Sequence, residues 1–153
     1  MEESHKKNQK AVTGELSDEE YKTLRNSIEK NLKTRIPEKM SILINYENSS
    51  PECYFYKGDA FVSKIIDNKI RISKRVSEKY KAIDFFLYPE NTNYDRLFQN
   101  KEKYIQENGY FKDSIFKDNF KCSAFLILKP NGKFMRYYGS DYYTEVGKFL
   151  AEK

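Results

Sequence analysis

The sharpest pattern of apolar and polar positions lies near the end of the chain. Residues 124–129 (AFLILK) are apolar up to the final lysine, Pro130, Asn131 and Gly132 interrupt the run, and Phe134, Arg136 and Tyr138 open an alternating one. A continuous apolar run, a turn and an alternating run predict a buried strand hairpinned to a half-buried strand. Two further apolar runs, 40–46 (MSILINY) and 83–88 (IDFFLY), are bounded by Pro37, by Glu47-Asn48-Ser49-Ser50-Pro51 and by Pro89-Glu90-Asn91, and predict interior strands.

Elsewhere the apolar residues recur at helical spacing. Ser17 followed three residues later by Glu20 is a capping-box start, and Tyr21, Leu24, Ile28 and Leu32 share one face before Pro37 ends the segment. Over 60–80, Phe61, Ile65, Ile72, Val76 and Tyr80, flanked by Val62, Ile66 and Ile70, predict a second helix. A third is expected over 94–107 from Leu97, Phe98, Tyr104 and Ile105, stopped by Asn108-Gly109. A last one starts at Ser140-Asp141 with Tyr142, Tyr143, Val146, Phe149 and Leu150 inward. Residues 1–15 are polar without period and read as a flexible tail, and 110–121 read as irregular.

After the leading helix the order is strand, helix, strand, helix, strand, strand, helix. Crossover helices imply parallel pairing and the closing hairpin antiparallel pairing. The expected fold is therefore α/β, a mixed four-stranded sheet with helices on both faces and an extra N-terminal helix, in one domain over residues 16–153.

Composition narrows the chemistry. With 13 Tyr, 11 Phe and no Trp, ring packing is expected to fill the core, and this accounts for Tyr138, Tyr142 and Tyr143 more economically than base stacking does. The net charge of +5 favours anionic contacts, but lysine alternates with Glu and Asp nearly everywhere. The basic run 69–75 reads as the solvated face of a helix, and nucleic-acid binding is the minority reading. No run approaches the roughly 20 apolar residues of a membrane helix. Residues 1–10 (MEESHKKNQK) lack a signal-peptide core, which suggests a cytoplasmic chain or a mature form whose export signal was removed. The lone His5, the scattered Asp67, Asp84, Asp113 and Asp118, and six dispersed glycines offer no catalytic triad, metal centre or phosphate loop, so neither metal nor cofactor is expected. Cys53 and Cys122 allow at most one bridge.

The element order is that of the thioredoxin fold. Residues 123–133 (SAFLILKPNGK) resemble the antiparallel hairpin of thioredoxin-like proteins, especially the exported thiol–disulfide exchange branch. Residues 42–46 (ILINY) resemble the strand leading into that family's active site, and Ser50-Pro51-Glu52-Cys53 stands where a Cys-Pro-Pro-Cys type motif occurs. The likeness spans residues 40–153 and rests on element order and these stretches. It implies a bacterial protein, periplasmic or lipoprotein-like if a leader was removed.

It also has two departures. Ser50 occupies the place of the nucleophilic cysteine, and Lys121-Cys122-Ser123-Ala124 contains no proline where the family carries a cis proline. A hydroxyl cannot exchange with a disulfide. The resemblance thus implies a binding or accessory module that meets a protein or peptide through Ser49, Ser50, Pro51, Glu52, Tyr54, Ser123 and Ala124. Alternatively it implies a thiol-dependent oxidoreductase or peroxidase-like enzyme in which Cys53 attacks and Cys122 resolves. In that fold the two cysteine loops approach each other, so Cys53 and Cys122 either form a disulfide or are two small buried hydrophobes. A third reading makes Tyr21, Leu24, Ile28 and Leu32 a dimer surface.

Overall fold

The computed structural model describes residues 11–48, 58–90, 95–117, 122–139 and 143–153. Its centre is β2 (Ser41–Glu47), in which all seven residues are buried. Parallel β3 (Ala82–Tyr88) flanks it on one side and antiparallel β5 (Ser123–Leu128) on the other, so that Ile44 lies between Phe85 and Leu126. β5 turns back into β6 (Lys133–Tyr138) through Gly132, whose φ of 89° suits glycine.

Two strands extend the predicted four. β1 (Ala11–Glu15) pairs antiparallel with β6, and β4 (Tyr104–Gln106) pairs parallel with β3, giving the order β1-β6-β5-β2-β3-β4. Residues 11–15 are therefore part of the sheet and not of a tail. Their five-residue run AVTGE is too short and too polar to show a period. Gly14 lets the strand lie close over Phe134, since a Cβ there would come within 2.8 Å of the ring.

The stretch expected as one helix over 94–107 is a short α3 (Asp95–Gln99), a turn and β4. The amide of Lys101 bonds to the carbonyl of Phe98 and that of Tyr104 to Lys101, both at 3.0 Å, which ends the helix. The Phe98 and Tyr104 rings that looked helical in spacing instead stack across this turn, 4.8 Å apart.

Helices do cover both faces, in an arrangement the order alone did not give. α1 (Asp18–Leu32) begins with the predicted capping box, in which backbone and side-chain hydrogen bonds with Ser17 hold the Glu20 carboxyl below its usual range. Its Tyr21, Leu24, Ile28 and Leu32 pack onto Ile42, Ile44 and Leu126, so this face is closed by the chain's own sheet and does not serve as a dimer surface. α2 (Gly58–Lys79) and α4 (Tyr143–Ala151) cover the opposite face, and Phe98 of α3 joins Val62 and Ile66 of α2 there. The steps from β2 to β3 and from β3 to β4 run in the same direction, so crossovers of one hand place α2 and α3 together.

The chain then returns across the α1 face through a π-helical turn, Phe111–Ile115, where irregular structure was expected. Phe111, Ile115 and Phe116 fill the core between α1 and the sheet. Glu107 fixes this return: it accepts the Gly109 and Phe111 amides at 2.8 and 3.0 Å and the Tyr46 hydroxyl at 2.7 Å. Among the described residues no helix is long and apolar enough to cross a membrane.

Two outcomes test these contacts. In Gly132→Ala the new Cβ would meet the Leu16 carbonyl oxygen at 2.7 Å with φ still positive. A loss of about 1–3 kcal/mol is expected, read as a lower urea midpoint with an unchanged slope. Burial, and then the Glu107 carboxylate, push the Tyr46 phenol far above its ordinary value. The folded chain therefore keeps a proton that the unfolded chain releases above about pH 10, and stability falls as pH rises past that point. Tyr46→Phe should flatten this alkaline decline; an identical decline in both proteins would refute the assignment.

Candidate functional site at the carboxyl end of β2

β2 ends at the position where its two neighbours are reached by different routes, β3 through α2 and β5 from the far side of the molecule. In open α/β sheets the crevice outside such a strand end collects binding groups. Here Asn48, just past β2, donates its amide to the Cys122 carbonyl at 2.7 Å, and Gly139 donates to the Ser123 carbonyl at 2.8 Å. The exit from β2, the entry to β5 and the exit from β6 are thus laced together at one rim.

Cys122 is disulfide-bonded. The sequence contains one other cysteine, Cys53, which lies outside the described residues together with Ser49, Ser50, Pro51, Glu52 and Tyr54. Reading Cys122 as a small buried hydrophobe with a free thiol is therefore corrected. Of the expected docking residues within the described range, Ser123 and Ala124 are both buried, the first facing α2 and the second in the α1-side core. Their side chains are closed to a partner because β5 is an interior strand covered on both faces.

Beside Cys122 sits a polar cluster that the sequence reading missed. The Lys69 ammonium of α2 lies 2.9 Å from Glu47 Oε1 and donates to Ser123 Oγ at 3.2 Å, while the Ser123 hydroxyl donates to the same Glu47 oxygen. The Lys69 and Glu47 side chains are only 11% and 5% exposed. The expectation that run 69–75 is wholly solvated fails at its first residue, because 69 falls on the inner stripe Val62, Ile66, Lys69, Ser73, Ser77. Phe61, expected inward, is 47% exposed.

The cluster continues along the helix. Asn45 Nδ2 donates to Ser73 Oγ at 3.2 Å, Ser73 donates to Asp84 Oδ2 at 2.7 Å, and Asp84 Oδ1 pairs with Lys103 at 2.9 Å. Asp84, unremarkable among scattered aspartates, is buried within this line. The missed signal was the helical spacing of Lys69, Ser73 and Ser77 with Val62 and Ile66, combined with Asn45 and Glu47 alternating in an otherwise apolar strand.

Chemically, a carboxylate, an ammonium and a hydroxyl converge in a space sheltered from water, one residue along the chain from Cys122. Such a set can hold or hand on a proton. Tyr137, by contrast, stacks on Phe125 with centroids 5.0 Å apart, and Tyr138 packs on Phe116, so these aromatics serve the core. No protein-family model matches the chain, nor does any curated protein or solved structure.

Removing one member of a buried ion pair strands the other. Lys69→Met should cost about 3–5 kcal/mol in urea unfolding, and adding Glu47→Gln to it should recover most of the loss. Equal destabilisation by the single and double variants would show that the pair is not coupled.

Proposed function

We propose that the chain is a thioredoxin-like domain without a complete Cys-x-x-Cys motif, acting as a binding or accessory module for a protein or peptide. The four inner strands support this reading through their order β6-β5-β2-β3, with one parallel pair and an antiparallel hairpin. The observation that carries it is the disulfide at Cys122, directly before β5 on the rim where β2 ends. A covalent tie at that point restrains the segment entering β5, which favours a preorganised docking surface. Ser50 in place of a nucleophilic cysteine removes standard dithiol exchange.

A second reading is favoured by the buried Glu47, Ser123 and Lys69 beside Cys122. It makes the protein a thiol–disulfide oxidoreductase in which Cys53 is the attacking thiol and Cys122 the resolving one. The Cys53 thiolate would attack a substrate disulfide, forming a mixed disulfide and releasing one substrate thiol. Cys122 would then displace the second substrate sulfur, leaving the substrate reduced and the Cys53–Cys122 bridge formed, which an external dithiol reductant returns to two thiols.

The two readings separate in one set of measurements. For the binding module, neither thiol alkylates until reductant is added, and neither insulin reduction nor peroxide consumption exceeds the uncatalysed rate. Turnover lost in Cys53→Ser would establish the enzyme instead. Full alkylation of both thiols in the unreduced protein would remove the bridge that carries the binding-module reading.

A further inference from the structure

The end of the molecule opposite the Cys122 rim holds a cavity unrelated to the function proposed above. Ile42 at the start of β2 faces Leu128 at the end of β5, so the β5–β6 turn and the segment entering β2 share that end. Between them and α1 lies a cavity of about 590 Å³, bounded at the turn by Pro130.

Its inner wall includes Arg25, which is 7% exposed. The guanidinium donates to the Tyr21 hydroxyl at 2.8 Å and to the carbonyls of Ile36 and Pro37, the latter at 2.7 Å. None of these acceptors carries charge. Glu29, one turn along α1, uses its carboxylate on the Ile36 amide at 2.6 Å, and among the described residues no carboxylate pairs with Arg25. Buried charges in proteins are ordinarily paired, and a guanidinium cannot shed its proton to escape the penalty. Arg25 is thus a buried positive charge with no paired carboxylate among the described residues, at the wall of an open cavity.

The surroundings add to this field. Lys22 and Arg35 stand exposed on the lip, neither ion-paired among the described residues, with Glu38 as the opposing carboxylate there. Tyr21 accepts from Arg25 and so keeps its own proton to donate, and two of the five guanidinium donors remain uncommitted. Three cations against the carboxylates of Glu29 and Glu38 leave a net excess of one positive charge. The free guanidinium donors, the Tyr21 hydroxyl and the two lip cations match the three oxygens of a phosphoryl group better than the two of a carboxylate, and the cavity is also larger than a bare oxyanion needs.

We propose that this cavity binds a small organic phosphate monoester. The phosphoryl group lies against Arg25 between Lys22 and Arg35, and the carbon skeleton lies over Tyr21, Ile36 and Pro130. The test is an amide NMR titration of the full chain with glycerol 3-phosphate, inorganic phosphate and acetate. Saturable shifts confined to residues 21–26 and 35–38 are expected for the ester, with weaker binding of inorganic phosphate and none of acetate. Lys22→Gln combined with Arg35→Gln touches only exposed side chains, leaves the fold intact, and should raise the dissociation constant at least about tenfold. Absence of saturable shifts, acetate binding as tight as the ester, or an unchanged constant in the double variant would each overturn the site. Equal affinity for inorganic phosphate and the ester would overturn the assignment of an organic ligand.

Discussion

The architecture is referred to β2, because among the described strands it alone is hydrogen-bonded to both a parallel and an antiparallel neighbour while both of its faces are covered. A strand so placed must satisfy its backbone through the ladder and its side chains through two cores at once. Ile42, Ile44 and Tyr46 serve the α1 side, and Leu43 serves the other. Asn45 and Glu47, on that second side, are compatible with burial only because α2 brings Ser73 and Lys69 to meet them. The register of β2 therefore sets where α2 can sit, and α2 in turn closes the rim at Cys122.

The parts of the fold legible in the sequence were those with a strong period or an obligatory local contact. The Ser17–Glu20 box, the Tyr21 to Leu32 face, the three apolar strands and the Gly132 hairpin all appear where the pattern put them. These signals are local, so tertiary context had little to override. β1 and β4 were not legible because five and three residues cannot establish alternation, and each is defined by a neighbour distant in sequence, Phe134 for Gly14 and Phe86 for Tyr104. The π-helical turn depends on Glu107 reaching both Tyr46 and the Phe111 amide, which no spacing rule announces.

Of the candidate site, counting cysteines singled out Cys122, which is disulfide-bonded and whose carbonyl accepts from Asn48 at the end of β2. What composition concealed was the charge beneath it. Lysine is so common on this surface that Lys69 looked like one of many, and only the inward stripe of α2 sets it apart. The same abundance concealed Arg25, which is set apart by burial without a paired carboxylate among the described residues rather than by a motif.

The polar underside of α2 also constrains how this chain could drift over generations. Replacing Ser73 alone leaves Asn45 and Asp84 short of a partner, and replacing Lys69 alone leaves Glu47 and Ser123 so. A wholly greasy version of the same layer would nonetheless be tolerable if every member changed together. Descendants of this sequence should therefore keep each network intact or exchange it as a block, so that positions 47, 69 and 123 form one heritable unit and 45, 73 and 84 another rather than six independent ones.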